Sequence, residues 1–117
     1  MNRPGFTTAI PKRRYSIESF IAVLLGDLEA TDSREYAFVL ALVKDGETQP
    51  QLYVTAERLR RSEANQGRYR MRLFTASSIS DLDDSDDWGD ADRFAETALR
   101  VAASVLGLGD AVAMRLT

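Results

Sequence analysis

The sequence predicts an α+β domain: an antiparallel sheet of three to four strands with a C-terminal helix packed on one face. Three observations carry this. Segments 51–59 and 68–75 sort into one apolar and one polar face when paired antiparallel. Segment 34–44 alternates with apolar residues on both sides, as a strand covered on both faces does. Segment 91–106 repeats apolar residues at helical spacing between a capping aspartate and a glycine stop.

Taken in order, residues 1–14 hold Pro4, Gly5 and Pro11 and few apolar side chains. They read as a flexible N-terminal arm ahead of a single domain over 15–117. Ile17, Phe20, Ile21, Leu24, Leu25 and Leu28 then fall on one helical face behind Ser16, a good N-cap. This predicts a helix over 16–29. The β-branched Ile17, Ile21 and Val23, with Gly26, keep a strand as the alternative. The element order is therefore α-β-β-β-α, with β-β-β-β-α as the alternative.

In 34–44, Tyr36, Phe38, Leu40 and Leu42 alternate with Ala37, Val39, Ala41 and Val43. If the face of Ala37, Val39, Ala41 and Val43 were not covered within the chain, it would imply a homodimer. Asp45-Gly46 and Pro50 mark the following turn. For the next two strands, residue numbers that sum to 127 pair Val54 with Leu73 and Ala56 with Met71 on one face. They pair Tyr53 with Phe74, Thr55 with Arg72 and Glu57 with Arg70 on the other. Residues 77–90 read as an acidic loop. In the helix, Phe94, Ala98, Val101, Ala102 and Val105 share a face, Asp90 or Asp92 caps the start, and Gly107 ends it.

Composition excludes more chemistry than it suggests. With 44% hydrophobic and 28% charged residues, the chain has the makings of a folded core. It contains no cysteine and no histidine. Disulfides, thiolate nucleophiles and cysteine- or histidine-based metal sites are therefore absent, as is the commonest general base near neutral pH. No glycine-rich phosphate loop occurs. No enzymatic activity and no cofactor are expected. The longest apolar run, Phe20–Leu25, is too short to span a bilayer, which takes about 20 residues. Lys12, Arg13 and Arg14 precede that run as in an export signal, but Glu18 interrupts it and no small-x-small site follows. The expected location is cytoplasmic, without membrane contact.

Charge is strongly divided along the chain. Residues 1–72 carry a net +3 and residues 73–117 a net −6. The acidic part concentrates Asp81, Asp83, Asp84, Asp86, Asp87, Asp90 and Asp92 around Trp88. Asp84, Asp86 and Gly89 match an EF-hand loop at positions 1, 3 and 6. Trp88 at position 5 and Ala95 at position 12 break the match, so no metal site is assigned. The basic part focuses on Arg68, Arg70 and Arg72, which alternate along one strand, with Arg60 and Arg61 in the neighbouring loop.

Two functions follow. The first is a small protein-interaction module, an adaptor, regulator or inhibitor, that binds a protein partner through Asp83, Asp84, Asp86, Asp87 and Trp88. The second is a single-stranded nucleic-acid module in which Arg68, Arg70 and Arg72 hold phosphates while Tyr53 and Phe74 stack bases. The net charge of −3 argues against nucleic acid as the partner. The α-β-β-β-α order resembles that of double-stranded RNA-binding domains, but Asp87, Asp90 and Asp92 stand where their last helix is basic. Because the acidic segment directly follows the arginine strand, a third arrangement is internal: the aspartates fold back onto the arginines.

Overall fold

The computed structural model describes residues 2–117. Seven strands form one antiparallel sheet: β1 (Phe6–Ile17), β2 (Phe20–Ala30), β3 (Glu35–Lys44), β4 (Leu52–Arg58), β5 (Tyr69–Phe74), β6 (Ile79–Asp84) and β7 (Met114–Arg115). One helix, α1 (Ala91–Val105), separates β6 from β7. The sheet order is β6-β5-β4-β3-β2-β1-β7. The first six strands are thus a simple meander, and the chain crosses the sheet on α1 to add β7 at the far edge.

The expected sheet of three to four strands is corrected to seven. Three segments and the two-residue tail strand β7 account for the difference. Residues 16–29, predicted as a helix, are the end of β1, a tight turn and most of β2. Their helical spacing arises because β2 is apolar on both faces: Phe20, Ala22 and Leu24 point to one, Ile21, Val23 and Leu25 to the other. Two overlaid alternating rows imitate a helical stripe. The segment read as an arm forms strand β1 from Phe6 onward. The segment read as an acidic loop contains β6, although aspartate is a poor strand former.

Hydrophobic burial divides into two clusters. The larger lies between the sheet and α1. It joins Ile17, Leu24, Leu40, Leu42, Leu52, Val54 and Met71 with Phe94, Ala98, Leu99 and Ala102. Four buried alanines on α1 let the helix axis come close to β3 and β4. The Phe94 ring stacks on Phe38 with centroids 5.8 Å apart. The Asp90 side chain caps the helix by accepting from the Asp92 and Arg93 N–H groups, and Gly107 takes φ 71° at its end, both as the sequence indicates.

The smaller cluster lies on the opposite face, where Tyr36, Val39, Ala41, Tyr53 and Phe74 are buried under Phe6, Leu25, Leu28 and Ala30. The cover is the outer half of the long β1–β2 hairpin. Register shifts at three places along β1 bend it, and Asp27 adopts φ 48° at the bend. The chain therefore covers Val39 and Ala41 itself, which removes the argument for a homodimer. A bulge at Ala37 then reverses the alternation of β3, so that Tyr36 joins this second face as well.

Candidate functional site

The β4–β5 pairing follows the register expected from sequence, with Tyr53 opposite Phe74, Thr55 opposite Arg72 and Glu57 opposite Arg70. On the face away from α1, this register places two arginines beyond the apolar cluster. Strand β6 then pairs with β5 so that Asp81 stands opposite Arg72 and Asp84 opposite Arg70, with a bulge at Leu82 between them. Each aspartate thereby meets a guanidinium from the adjacent strand.

The result is a chain of ion pairs across the sheet. Arg34, in the β2–β3 connection, lies 3.2 Å from Glu57. Glu57 lies 3.3 Å from Arg72, and Arg72 Nε donates to Asp81 at 2.6 Å. Asp81 lies 3.7 Å from Arg70, which donates to both Asp84 oxygens at 2.9 and 3.1 Å. The last is a bidentate pair, the strongest geometry available to arginine and carboxylate. The centre is nearly dry: the side chains of Arg72 and Glu57 are only 10% and 11% exposed.

Burial sets the electrostatics. It raises the Glu57 carboxyl above its ordinary value, against the pull of Arg34 and Arg70. The hydrogen bond to Asp84 raises the already high pKa of Arg70. At the exposed end, the Arg68 backbone N–H lowers the Asp86 carboxyl. Gly67 makes this last contact possible, since a Cβ there would sit 2.5 Å from Ser85 Cα.

The five residues expected to bind a protein partner are dispersed among different tasks. Asp84 is committed to Arg70, Asp86 to Arg68 and Asp87 to Arg93. Trp88 is 8% exposed and packs in the larger core beneath a 3₁₀ turn (Asp86–Gly89), so its ring is not a surface anchor. Asp83 alone is exposed and makes no ion pair among the described residues.

The five nucleic-acid candidates separate too. Arg70 and Arg72 belong to the ladder, and Arg68 precedes β5 and pairs with Asp86. Tyr53 and Phe74 are 4% exposed under the β1–β2 hairpin and present no ring to a base. The internal arrangement, aspartates folded onto arginines, is the one observed.

Sequence reasoning missed Arg34, which enters from a turn whose position nothing local specifies. It also paired Glu57 with Arg70 alone, whereas Glu57 serves Arg34 and Arg72. The carboxylates of the ladder are clamped by guanidinium groups rather than poised against each other. No group of metal-ligating side chains occurs among the described residues. No helix among them is long and apolar enough to cross a membrane. Comparison with known proteins finds no matching family model, no matching curated protein and no matching solved structure.

Proposed function

We propose that this chain is a non-catalytic protein-interaction module that captures a basic, extended partner segment along β6. One observation carries the reading: β6 is the last strand of the sheet, and its outer edge pairs with no strand among the described residues. An edge strand offers a row of backbone donors and acceptors, which a partner strand completes. Ile79 and Leu82 are exposed on it, next to Asp81 and Asp83. The arginine ladder holds β6 rigidly from behind, which lowers the ordering cost of capture.

Charge decides which partner fits. An acidic edge repels a second copy of itself and other acidic strands, and attracts segments that alternate lysine or arginine with apolar residues. Asp83 remains the one member of the expected acidic set free to meet such a cation. The single-stranded nucleic-acid reading has less support, because its two stacking rings are buried.

The test is heteronuclear NMR of the labelled chain with two short peptides, one alternating lysine with valine and one alternating glutamate with valine. The lysine peptide is expected to shift the amides of 79–84, and Asp83→Lys to weaken it about tenfold, the worth of roughly 1.4 kcal/mol. Equal response to the glutamate peptide, or shifts centred elsewhere, would rule the edge out.

A further inference from the structure

Beside the ladder lies an arginine-lined hollow of about 290 Å³, at the lower end of the size range of small-molecule sites. Its walls come from the β2–β3 connection, β4, the loop after β4 and β5. Four guanidinium groups face it: Arg34, Arg60, Arg70 and Arg72. Two carboxylates, Glu57 and Glu63, and two hydroxyls, Ser33 and Ser62, complete it. Asp84 and Asp81 balance Arg70 and Arg72 from the β6 side, but neither lines the hollow, so the surface turned to it is rich in guanidinium.

The donor supply exceeds what the chain consumes. Each guanidinium carries five N–H donors and no acceptor. Asp81 and Asp84 take donors from Arg72 and Arg70 on the β6 side, which fixes both planes. Arg34 spends one nitrogen on Glu57, and Arg60 forms no ion pair among the described residues. Arg72 is spent inside the chain. It is 92% buried by its 8% exposure, and its Nη1 donates to no acceptor. That nitrogen lies 3.3 Å from Glu57 but off the hydrogen-bond direction. It is closed off from the hollow, so the donors left for a ligand are the spare N–H groups of Arg34 and Arg60.

We propose that this hollow binds a small tetrahedral oxyanion, inorganic phosphate or the phosphate of a monoester. Converging guanidinium forks match phosphate oxygens in geometry as well as charge. The almost wholly polar walls suit a compact anion, and the four cations exclude a metal ion. Arg72 and Arg70, held by the aspartates, form the rigid floor. Arg60, on an exposed loop, closes over the ligand.

The full-length labelled chain is titrated with sodium phosphate and, separately, with phenyl phosphate, against sodium chloride at matched ionic strength. Saturable shifts at Ser33, Arg34, Ser62 and Arg72 with either phosphate support the site. Tighter binding of phenyl phosphate identifies a monoester ligand, and equal binding identifies the bare anion. Arg60→Ala, which breaks no internal pair, is expected to weaken binding at least tenfold. Arg34→Gln is expected to abolish it, with a thermal melt reporting whether that variant folds. Linear shifts equal to those of chloride mean that only water fills the hollow and overturn the proposal, as does undiminished binding by Arg60→Ala.

Discussion

The two faces of the sheet are built from the same strands by opposite means. Under α1, every inward residue from Ile17 to Met71 is apolar, and the helix seals the face with alanines and Phe94. On the other face, the covering hairpin reaches only as far as the Tyr53–Phe74 row. Beyond that row the strands continue, and Thr55, Arg72, Glu57 and Arg70 occupy positions that would otherwise be core. The first face is held by area removed from water, the second by mutual satisfaction of charges. Truncating an apolar contact costs in proportion to the volume removed, whereas a dry ion pair fails once one partner is lost.

The largest effect tests the first face. Phe94→Ala removes a fully buried ring stacked on Phe38 and is expected to cost about 3–5 kcal/mol. Urea unfolding measures this. A cost below about 1 kcal/mol, typical of an exposed site, would mean that α1 does not seal the sheet.

Next in size is the centre of the ladder. Glu57→Ala leaves the nearly dry Arg72 with Asp81 as its one remaining counter-ion, at an expected cost of about 3 kcal/mol. The double variant Glu57→Leu with Arg72→Met is expected to recover most of that loss, because matched apolar residues avoid the desolvation penalty. If the double variant is no better than the single, the pair is not the source of the stability, and the contrast between the faces collapses.

How far these faces were legible in the sequence depends on what specified them. The β4–β5 register was readable because both faces of both strands sort together, and α1 because cap, periodicity and glycine stop agree. The length of the sheet was not. In β2 the second apolar row exists to receive the folded hairpin, a tertiary fact, and it counterfeits a helix. In β6 the local preference of aspartate for turns is overridden by Arg70 and Arg72 on the neighbouring strand. The burial of Trp88 was equally hidden, since an aspartate run around it signals exposure until the 3₁₀ turn tucks the ring beneath the sheet. Of the candidate site, the arginines and the possibility of internal pairing were visible, whereas the contribution of Arg34 was not.

The smallest effects distinguish the two ends of the ladder by pH. Burial lets the folded chain hold the Glu57 proton to higher pH than the unfolded chain does. That group therefore favours the folded state most when protonated, below its ordinary range, and its contribution is lost as pH rises through the raised folded value. Asp86 behaves in the opposite sense. Its carboxyl is lowered by the Arg68 backbone N–H, so its contribution is present above the ordinary range and lost as pH falls through the lowered value. Glu57→Gln is expected to make stability rise more steeply between mildly acidic and neutral pH, and Asp86→Asn to flatten its fall at strongly acidic pH. Added salt is expected to weaken the part of the Asp86 effect that comes from the Arg68 guanidinium and to leave the effect of Glu57, because ions screen the exposed pair and do not reach the dry one. Thermal melts across pH at low and high salt measure both. Identical salt responses would mean that the centre of the ladder is as wet as its end, and a wet centre would leave Arg72 with water in place of the missing acceptor.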